Sequence, residues 1–242
     1  MQVFKLLDYY FKLSATILVT IYYAIKVILI ISISGKKEKF FKNARKWSKY
    51  LLKICRIKVA ILNPQNISES FPLIYISNHS SLFDIPIVLS VCNDDVAIMY
   101  KKELEKIPLF GLCLKVSPFI AIEREHPKSS LLSIEKAIEA VRGKYSVLIF
   151  PEGTRSEDGT IGEFKRGAFL LAARSGKPLM PIVIVGSNKI LPKKKKTINS
   201  GEVKFIYTKL IYIENEVSRA KEIELMNEVR DLIYDCYQKH NY

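Results

Sequence analysis

Cysteine is scarce in this sequence, and the few it has are badly placed for metal or for cross-links. Cys55, Cys92, Cys113 and Cys236 lie far apart, with no C-x-x-C pair and no Cys/His cluster. That spacing argues against a structural zinc site and against a disulfide scaffold, and leaves buried free thiols in a reducing compartment. No Gly-x-Ser-x-Gly elbow occurs, so nothing points to a serine hydrolase working through an acyl-enzyme. Signatures of helix-turn-helix, RNA-binding or zinc-finger modules are missing too, as are repeats and low-complexity tracts. Acidic residues are in deficit: 24 Asp and Glu face 38 Lys and Arg, a formal net charge of +14. A balance that basic calls for an anionic partner, whether nucleic acid, a membrane surface or an acidic carrier, and composition does not choose among them.

What is present is apolar and ordered. Of 242 residues, 49% are hydrophobic, which excludes a disordered chain and suffices for one sizeable core. Two units are expected, an N-terminal appendage over 1–55 and a catalytic domain over 56–242. Residues 13–33 are strongly apolar, with Lys26 the one charge among them, and are just long enough to cross a hydrocarbon core. The small residues Ser32 and Ser34 resemble a signal-peptide cleavage site. The lysine-dense GKKEKFFKNARK that follows argues instead for a flank kept in the cytoplasm. The apolar run would also suit a buried core helix of a soluble protein; a membrane anchor, either spanning or lying in the interface, is the reading preferred.

The next stretch repeats apolar residues at helical spacing: Phe40, Ala44, Trp47, Leu51 and Ile54. Lys42, Arg45, Lys46, Lys49 and Lys53 fill much of the rest. The pattern fits an interfacial helix on anionic lipid, or a helix packing its stripe on the domain with a solvated basic face.

Beyond about residue 56, strand-like runs alternate with helical ones. Strands are predicted at 73–77, 96–100, 119–122, 146–150, 179–185 and 203–213. Helices are predicted at 82–91, 128–142, 164–175 and 218–239. Alternation of this kind implies an α/β fold with a mostly parallel central sheet flanked by helices. The lysines at 193–196 beside Pro192 read as an exposed loop.

Two constellations carry chemistry. The first is Asn78-His79-Ser80-Ser81-Leu82-Phe83-Asp84, directly after a predicted strand. On one regular helix His79 and Asp84 would lie about 140° apart, so they meet only if His79 sits in the turn and Asp84 on the first helical turn. A carboxylate on one imidazole nitrogen fixes the tautomer and lets the other nitrogen accept a proton from a substrate hydroxyl. Ser81 and Asp84 are also spaced as a capping box, a purely structural job. The second is Phe150-Pro151-Glu152-Gly153-Thr154-Arg155-Ser156, again at a strand end. Arg155 offers a forked donor for phosphate, Gly153 a close backbone approach and Thr154 a hydroxyl. Glu152 could orient Arg155 or accept from a substrate hydroxyl. A polar turn with a screened ion pair is the competing reading.

Taken together these residues resemble the PlsC-type 1-acyl-glycerol-3-phosphate acyltransferases. The hallmark histidine and aspartate, with four residues between them, are matched by His79 and Asp84. A second block is similar to Lys101-Lys102-Glu103-Leu104 through Pro108 and Gly111, followed by Ile122-Glu123-Arg124. The third matches residues 150–156 throughout, and the fourth resembles Pro178-Leu179-Met180-Pro181-Ile182-Val183. All four stand in family order over roughly residues 70–190. Two departures occur: Glu123 stands where the family often has Asp, and the fourth block lacks the commoner second Val-Pro-Val.

The resemblance implies His79 as general base and Asp84 as its orienting partner. It implies Arg124, Arg155 and Lys101 on the acceptor phosphate, with Glu152, Gly153 and Thr154 shaping that site. It further implies acyl-CoA or acyl-carrier protein as co-substrate, with no metal or cofactor, and lysophosphatidic acid as acceptor. The expected partners are those substrates and an anionic bilayer surface, not nucleic acid. The expected location is the cell membrane, through an N-terminal two-helix motif, with the catalytic domain on the cytoplasmic side. The rival readings are a sister enzyme acting on glycerol-3-phosphate or another lyso-lipid, and a non-enzymatic basic protein that binds anionic lipid or nucleic acid.

Overall fold

The computed structural model describes residues 2–67, 72–123, 127–213 and 218–241. The chain opens with a long helix, α1 (Gln2–Ser34). Neither Gly nor Pro interrupts it, and it stops at Gly35, whose φ of +63° lets its N–H reach back to the Ile31 carbonyl at 2.8 Å. The second helix, α2 (Glu38–Ile54), has Glu38 in its first turn and Lys53 in its last, as the helix dipole favours.

Seven strands follow: β1 (Ile57–Leu62), β2 (Ile74–Ser77), β3 (Val96–Lys101), β4 (Ile120–Ile122), β5 (Ser146–Ile149), β6 (Leu179–Val185) and β7 (Gly201–Tyr207). They form one sheet in the order β1-β7-β6-β2-β5-β3-β4. Every pairing is parallel except β6 with β7. The connecting helices are α3 (Asp84–Val91), α4 (Phe110–Val116), α5 (Pro127–Gly143), α6 (Gly167–Ser175), α7 (Ser187–Ile190) and α8 (Arg219–His240).

The period-two alternation of the strands divides the core in two. Tyr75, Ile98, Leu148, Met180, Ile182, Ile184 and Phe205 point to one face, where they pack with α2, α3 and the inner side of α1. Ile74, Ile76, Ala97, Val147, Leu179, Val183 and Ile206 point to the other, covered by α5, α6 and α8. This is the expected α/β architecture, a mostly parallel sheet between helical layers. The apolar stripe of α2 is spent inside the protein: Phe40, Ala44 and Leu51 are buried, and Phe40 meets Phe119 edge-on at 4.8 Å. Its lysines at 42, 46, 49 and 53 remain exposed.

Three departures from the sequence expectations have physical reasons. β1 is not among the strands expected, although Ile57, Val59 and Ile61 recur at strand spacing; it stands at the sheet edge, and its partner, β7, lies far along the chain. α4 is too short to show a helical period and reads as a mere apolar run. The strand expected to reach 213 ends at Tyr207. Pro181 in β6 has no N–H to give, and its carbonyl takes both the N–H of Thr208 (3.1 Å) and its Oγ1 (2.7 Å). The register then slips by one residue, from Ile182 opposite Tyr207 to Leu179 opposite Ile211, so that the last contact is an isolated bridge.

Four neighbouring parallel strands, β2, β5, β3 and β4, end along one edge of the sheet. His79 and Asp84 follow β2, residues 150–156 follow β5, Lys101 closes β3 and Glu123 follows β4. Strand carboxyl ends are where open α/β sheets hold their ligands.

Candidate active site

The turn after β2 is built around one carboxylate oxygen. Asp84 Oδ2 accepts from the backbone N–H groups of Ser80 and Ser81, both at 2.8 Å, and contacts His79 Nδ1 at 2.7 Å. Asp84 is wholly buried, in the first turn of α3, whose dipole favours its negative charge. The capping and dyad readings thus describe the same contact set: Asp84 holds the turn in shape and also holds the imidazole. Its Oδ1 is buried without a hydrogen-bond partner among the described residues.

His79 is positioned on two further sides. Its ring stacks on Phe150, with centroids 4.0 Å apart and planes 16° from parallel. Its backbone N–H donates to Glu152 Oε1 at 2.7 Å. With Nδ1 engaged by Asp84, Nε2 is the nitrogen available for proton transfer, on a side chain that is 15% exposed.

Glu152 is a strut between loops. Its second oxygen accepts from the Gly162 N–H at 3.1 Å, so each carboxylate oxygen takes one backbone donor. Burial pushes its carboxyl above the usual range, and the two backbone hydrogen bonds oppose that shift. Gly153 adopts φ +72°, the left-handed region that favours glycine, and a Cβ there would come within 3.0 Å of Lys165 Nζ. Thr154 is exposed and Arg155 half-buried. The Ser156 N–H donates to the His79 carbonyl at 2.8 Å, which ties the arginine-bearing loop directly to the histidine turn.

Lys101 is exposed and pairs with Glu103 at 3.0 Å, while Lys102 pairs with Glu123. Lys101 stands two strands away from β2 in the sheet, roughly 10 Å at the usual strand spacing. Arg124, expected on the phosphate, lies outside the described residues. Among the described residues, no group of three or more His, Cys, Asp or Glu could hold a metal ion.

Several residues that sequence reasoning did not single out shape this site. Asn78 uses both ends of its amide on the backbone of Ile184, at 2.9 Å each, fastening the turn to β6. Ser80 and Ser187 hydroxyls meet at 2.9 Å. Lys193 reaches the Arg155 carbonyl, and Lys165 lies over Gly153. Tyr237 of α8 is buried with its hydroxyl beside Gly159; burial first, then the charges of Asp158, Asp84 and Glu152, push its phenol upward. None of these carries a local signal, since each partner is distant in sequence.

Comparison with known proteins agrees with this picture. An acyltransferase family model matches residues 58–185. A chloroplastic 1-acyl-sn-glycerol-3-phosphate acyltransferase of Brassica napus is 38% identical over 146 residues, covering 60% of this chain and 42% of the relative. One from Arabidopsis thaliana is 34% identical over 178 residues, covering 73% and 48%. The human beta form is 29% identical over 148 residues, covering 61% and 53%. The chain spans about half the length of the curated relatives it matches. The crystal structure of the 1-acyl-sn-glycerophosphate (LPA) acyltransferase PlsC from Thermotoga maritima shares the fold, with a TM-score of 0.84 at 23% identity over 100% of this chain and 98% of that one.

Proposed function

The chain belongs to the acyltransferase family, and from that premise we propose that it moves a fatty-acyl group from a thioester donor, acyl-CoA or acyl-carrier protein, onto the free hydroxyl of lysophosphatidic acid, giving phosphatidic acid. The observation that carries this reading is the oriented imidazole. His79 has Nδ1 fixed by a buried carboxylate and leaves Nε2 at the sheet edge, on a turn bonded to the loop that bears Arg155. Nε2 takes the proton of the acceptor hydroxyl as its oxygen attacks the thioester carbonyl. The tetrahedral intermediate collapses with breakage of the C–S bond, and the imidazolium returns the proton to the departing thiolate. One ester and one thiol result, the enzyme is unchanged, and no step calls for a metal or cofactor. Arg155 supplies the forked donor for the acceptor phosphate.

The reading includes a membrane-bound location, with the catalytic domain facing the cytoplasm. α1 buries Tyr23, Ala24, Val27 and Ile31 against the protein and exposes Phe4, Leu7, Phe11, Leu18, Tyr22 and Leu29 on its outer side. A half-covered helix of this kind lies in one leaflet with its outer face in hydrocarbon. The exposed lysines of α2 supply attraction to anionic headgroups.

The test is thiol release by purified protein in anionic vesicles, with acyl-CoA and acyl-carrier protein each offered to lysophosphatidic acid, glycerol-3-phosphate and a phosphate-free lyso-lipid. Turnover is expected with lysophosphatidic acid and lost in His79→Ala by at least about 10²-fold. Equal turnover on the phosphate-free acceptor would remove the phosphate reading. A folded His79→Ala protein of near wild-type rate would remove the general base.

A further inference from the structure

Lys193 belongs to the run of lysines that the sequence offers only as a charged loop. Its side chain is 24% exposed, and its Nζ donates to the carbonyl oxygen of Arg155 at 2.8 Å. The other end of that same peptide group, the Ser156 N–H, donates to the carbonyl oxygen of His79 at 2.8 Å. A single peptide plane is therefore clamped from both sides, by Lys193 on its oxygen and by the histidine turn on its nitrogen. The Arg155 side chain hangs from the carbonyl side of that plane.

The anchor for Lys193 is itself well held. The segment between β6 and β7 starts at Gly186 and runs through α7. Ser187 meets Ser80 hydroxyl to hydroxyl at 2.9 Å, and the Leu191 carbonyl accepts from Ser81 Oγ at 3.4 Å. Lys193 thus projects from a segment already fastened to the turn that carries His79. Among the described residues it also makes a looser ion pair with exposed Glu157 at 3.5 Å; Lys194 makes the closer one, at 2.6 Å.

We propose that Lys193 is a positioning residue for acceptor binding: by holding the Arg155–Ser156 peptide it sets where the guanidinium stands relative to His79. The inference rests on the reading of this site as an acyltransferase for a phosphate-bearing acceptor. An ammonium donor makes a stronger bond to a carbonyl than a neutral one, and by polarising the peptide it strengthens the N–H bond to His79 at the other end. Removing it leaves no charge buried, because the freed carbonyl faces a half-exposed loop. The effect therefore falls on geometry rather than on folding.

The test compares wild type with Lys193→Met, Lys193→Arg and Glu157→Gln in anionic vesicles, using acyl-CoA and lysophosphatidic acid. Lys193→Met is expected to raise the KM for the acceptor about tenfold, the worth of one charge-assisted hydrogen bond, with kcat within about threefold and donor KM unchanged. Lys193→Arg, which keeps a charged donor, restores most of the affinity, and Glu157→Gln leaves it near wild type. Hydrogen exchange reads the clamp without any substrate: the Ser156 amide exchanges faster in Lys193→Met and not in Lys193→Arg. An unchanged acceptor KM, a rise as large in Glu157→Gln, or an unaltered Ser156 amide overturns the inference while wild-type turnover stands. Absence of wild-type turnover on every phosphate-bearing acceptor overturns the functional reading, and the acceptor role of Lys193 with it.

Discussion

Replacing Asp84 by Asn separates the two jobs of its carboxylate. Three donors converge on Oδ2: His79 Nδ1 and the backbone N–H groups of Ser80 and Ser81. An asparagine can serve all three only with its carbonyl oxygen in that place, since the reverse orientation points an NH2 at three donors. The amide nitrogen then occupies the position of Oδ1, which is buried and has no partner among the described residues. Burying that group unpaired costs about 1–3 kcal/mol of stability. The turn keeps its shape, and His79 keeps its tautomer and its seat on Phe150. What disappears is the negative charge that, in the proposed mechanism, faces the imidazolium formed in the transition state. With charge centres about 4 Å apart and an effective dielectric of about 20, that attraction is about 4 kcal/mol, or about 10³ in rate. Asp84→Asn is therefore expected to fold with a lowered Tm, to lose about 10²–10³ in kcat, and to keep the KM for both substrates within about threefold. Steady-state thiol release with a parallel thermal melt measures all three. A variant that melts lower but turns over within about threefold of wild type would show that Asp84 is a cap alone.

Other perturbations have equally definite outcomes. Burial raises the Glu152 carboxyl, so the folded state favours its protonated form; that contribution to stability is complete below the ordinary carboxylate range and is lost as pH rises through the raised value. Glu152→Gln does not titrate, so its Tm relative to wild type should improve from about pH 4 to about pH 7, although it loses one of two backbone acceptors; a shift the other way contradicts the linkage. Gly111→Ala should destabilise more than Gly153→Ala, because its Cβ would collide with the Glu105 backbone carbonyl, whereas at Gly153 the flexible end of Lys165 can withdraw and the cost is about 1–2 kcal/mol of left-handed backbone. Comparing the two melts decides the order. Phe11→Asp with Leu18→Asp, on the outer face of α1, should release the protein from vesicles without altering its fold, as read by sedimentation and circular dichroism. Reversing Lys42 and Lys49 to Glu should weaken binding to anionic vesicles only, by roughly 1 kcal/mol or more for each lysine, and the difference should shrink in high salt.

Much of this site was legible because its two loops are local. The turn from β2 into α3 and the turn after β5 each place their chemistry within seven residues, so spacing and residue type suffice. The contacts that make a site of them are not local. Glu152 binds the N–H groups of His79 and Gly162, Lys193 binds Arg155, and Asn78 pads β6. A sequence offers no sign that a motif glutamate will take backbone donors from two separate loops, because that is decided by which strand ends the sheet brings together. The same holds for the fold. β6 and α3 were readable from their own composition, while the place of β1 at the sheet edge is set by pairing with β7, and the end of β7 by a missing N–H on Pro181. The stripe of α2 was read correctly as apolar, yet its burial against Phe119 rather than lipid depends on tertiary neighbours.

Two lysines of α1 have opposite surroundings. Lys26, the one charge within residues 13–33, lies 5.7 and 5.6 Å over the rings of Tyr22 and Tyr23, so an aromatic neighbourhood softens its cost in an apolar setting. Lys12 is buried instead. It pairs with Asp8 at 2.6 Å and donates to the Ile198 carbonyl at 3.0 Å and to Ser200 Oγ at 2.9 Å. Ser200 leads into β7, which runs antiparallel to β6, so its start lies beside the carboxyl ends of β6 and β2, where the His79 turn stands. The far end of α1 packs Val27 and Ile31 into the cluster that includes Phe40, and Phe40 touches Phe119 ahead of β4, at the opposite edge. α1 therefore runs along the protein from the site edge to the far edge and cannot leave it to cross a bilayer without tearing out Lys12. In the proposed location, with α1 laid in one leaflet, its Lys12 end, and with it the sheet edge bearing His79 and Arg155, would stand at the depth where the proposed lyso-lipid acceptor presents its phosphate and free hydroxyl. Lys12→Met should therefore impair acylation of a bilayer-borne acceptor more than that of a short-chain soluble one, and equal loss on both would break this link between anchor and site.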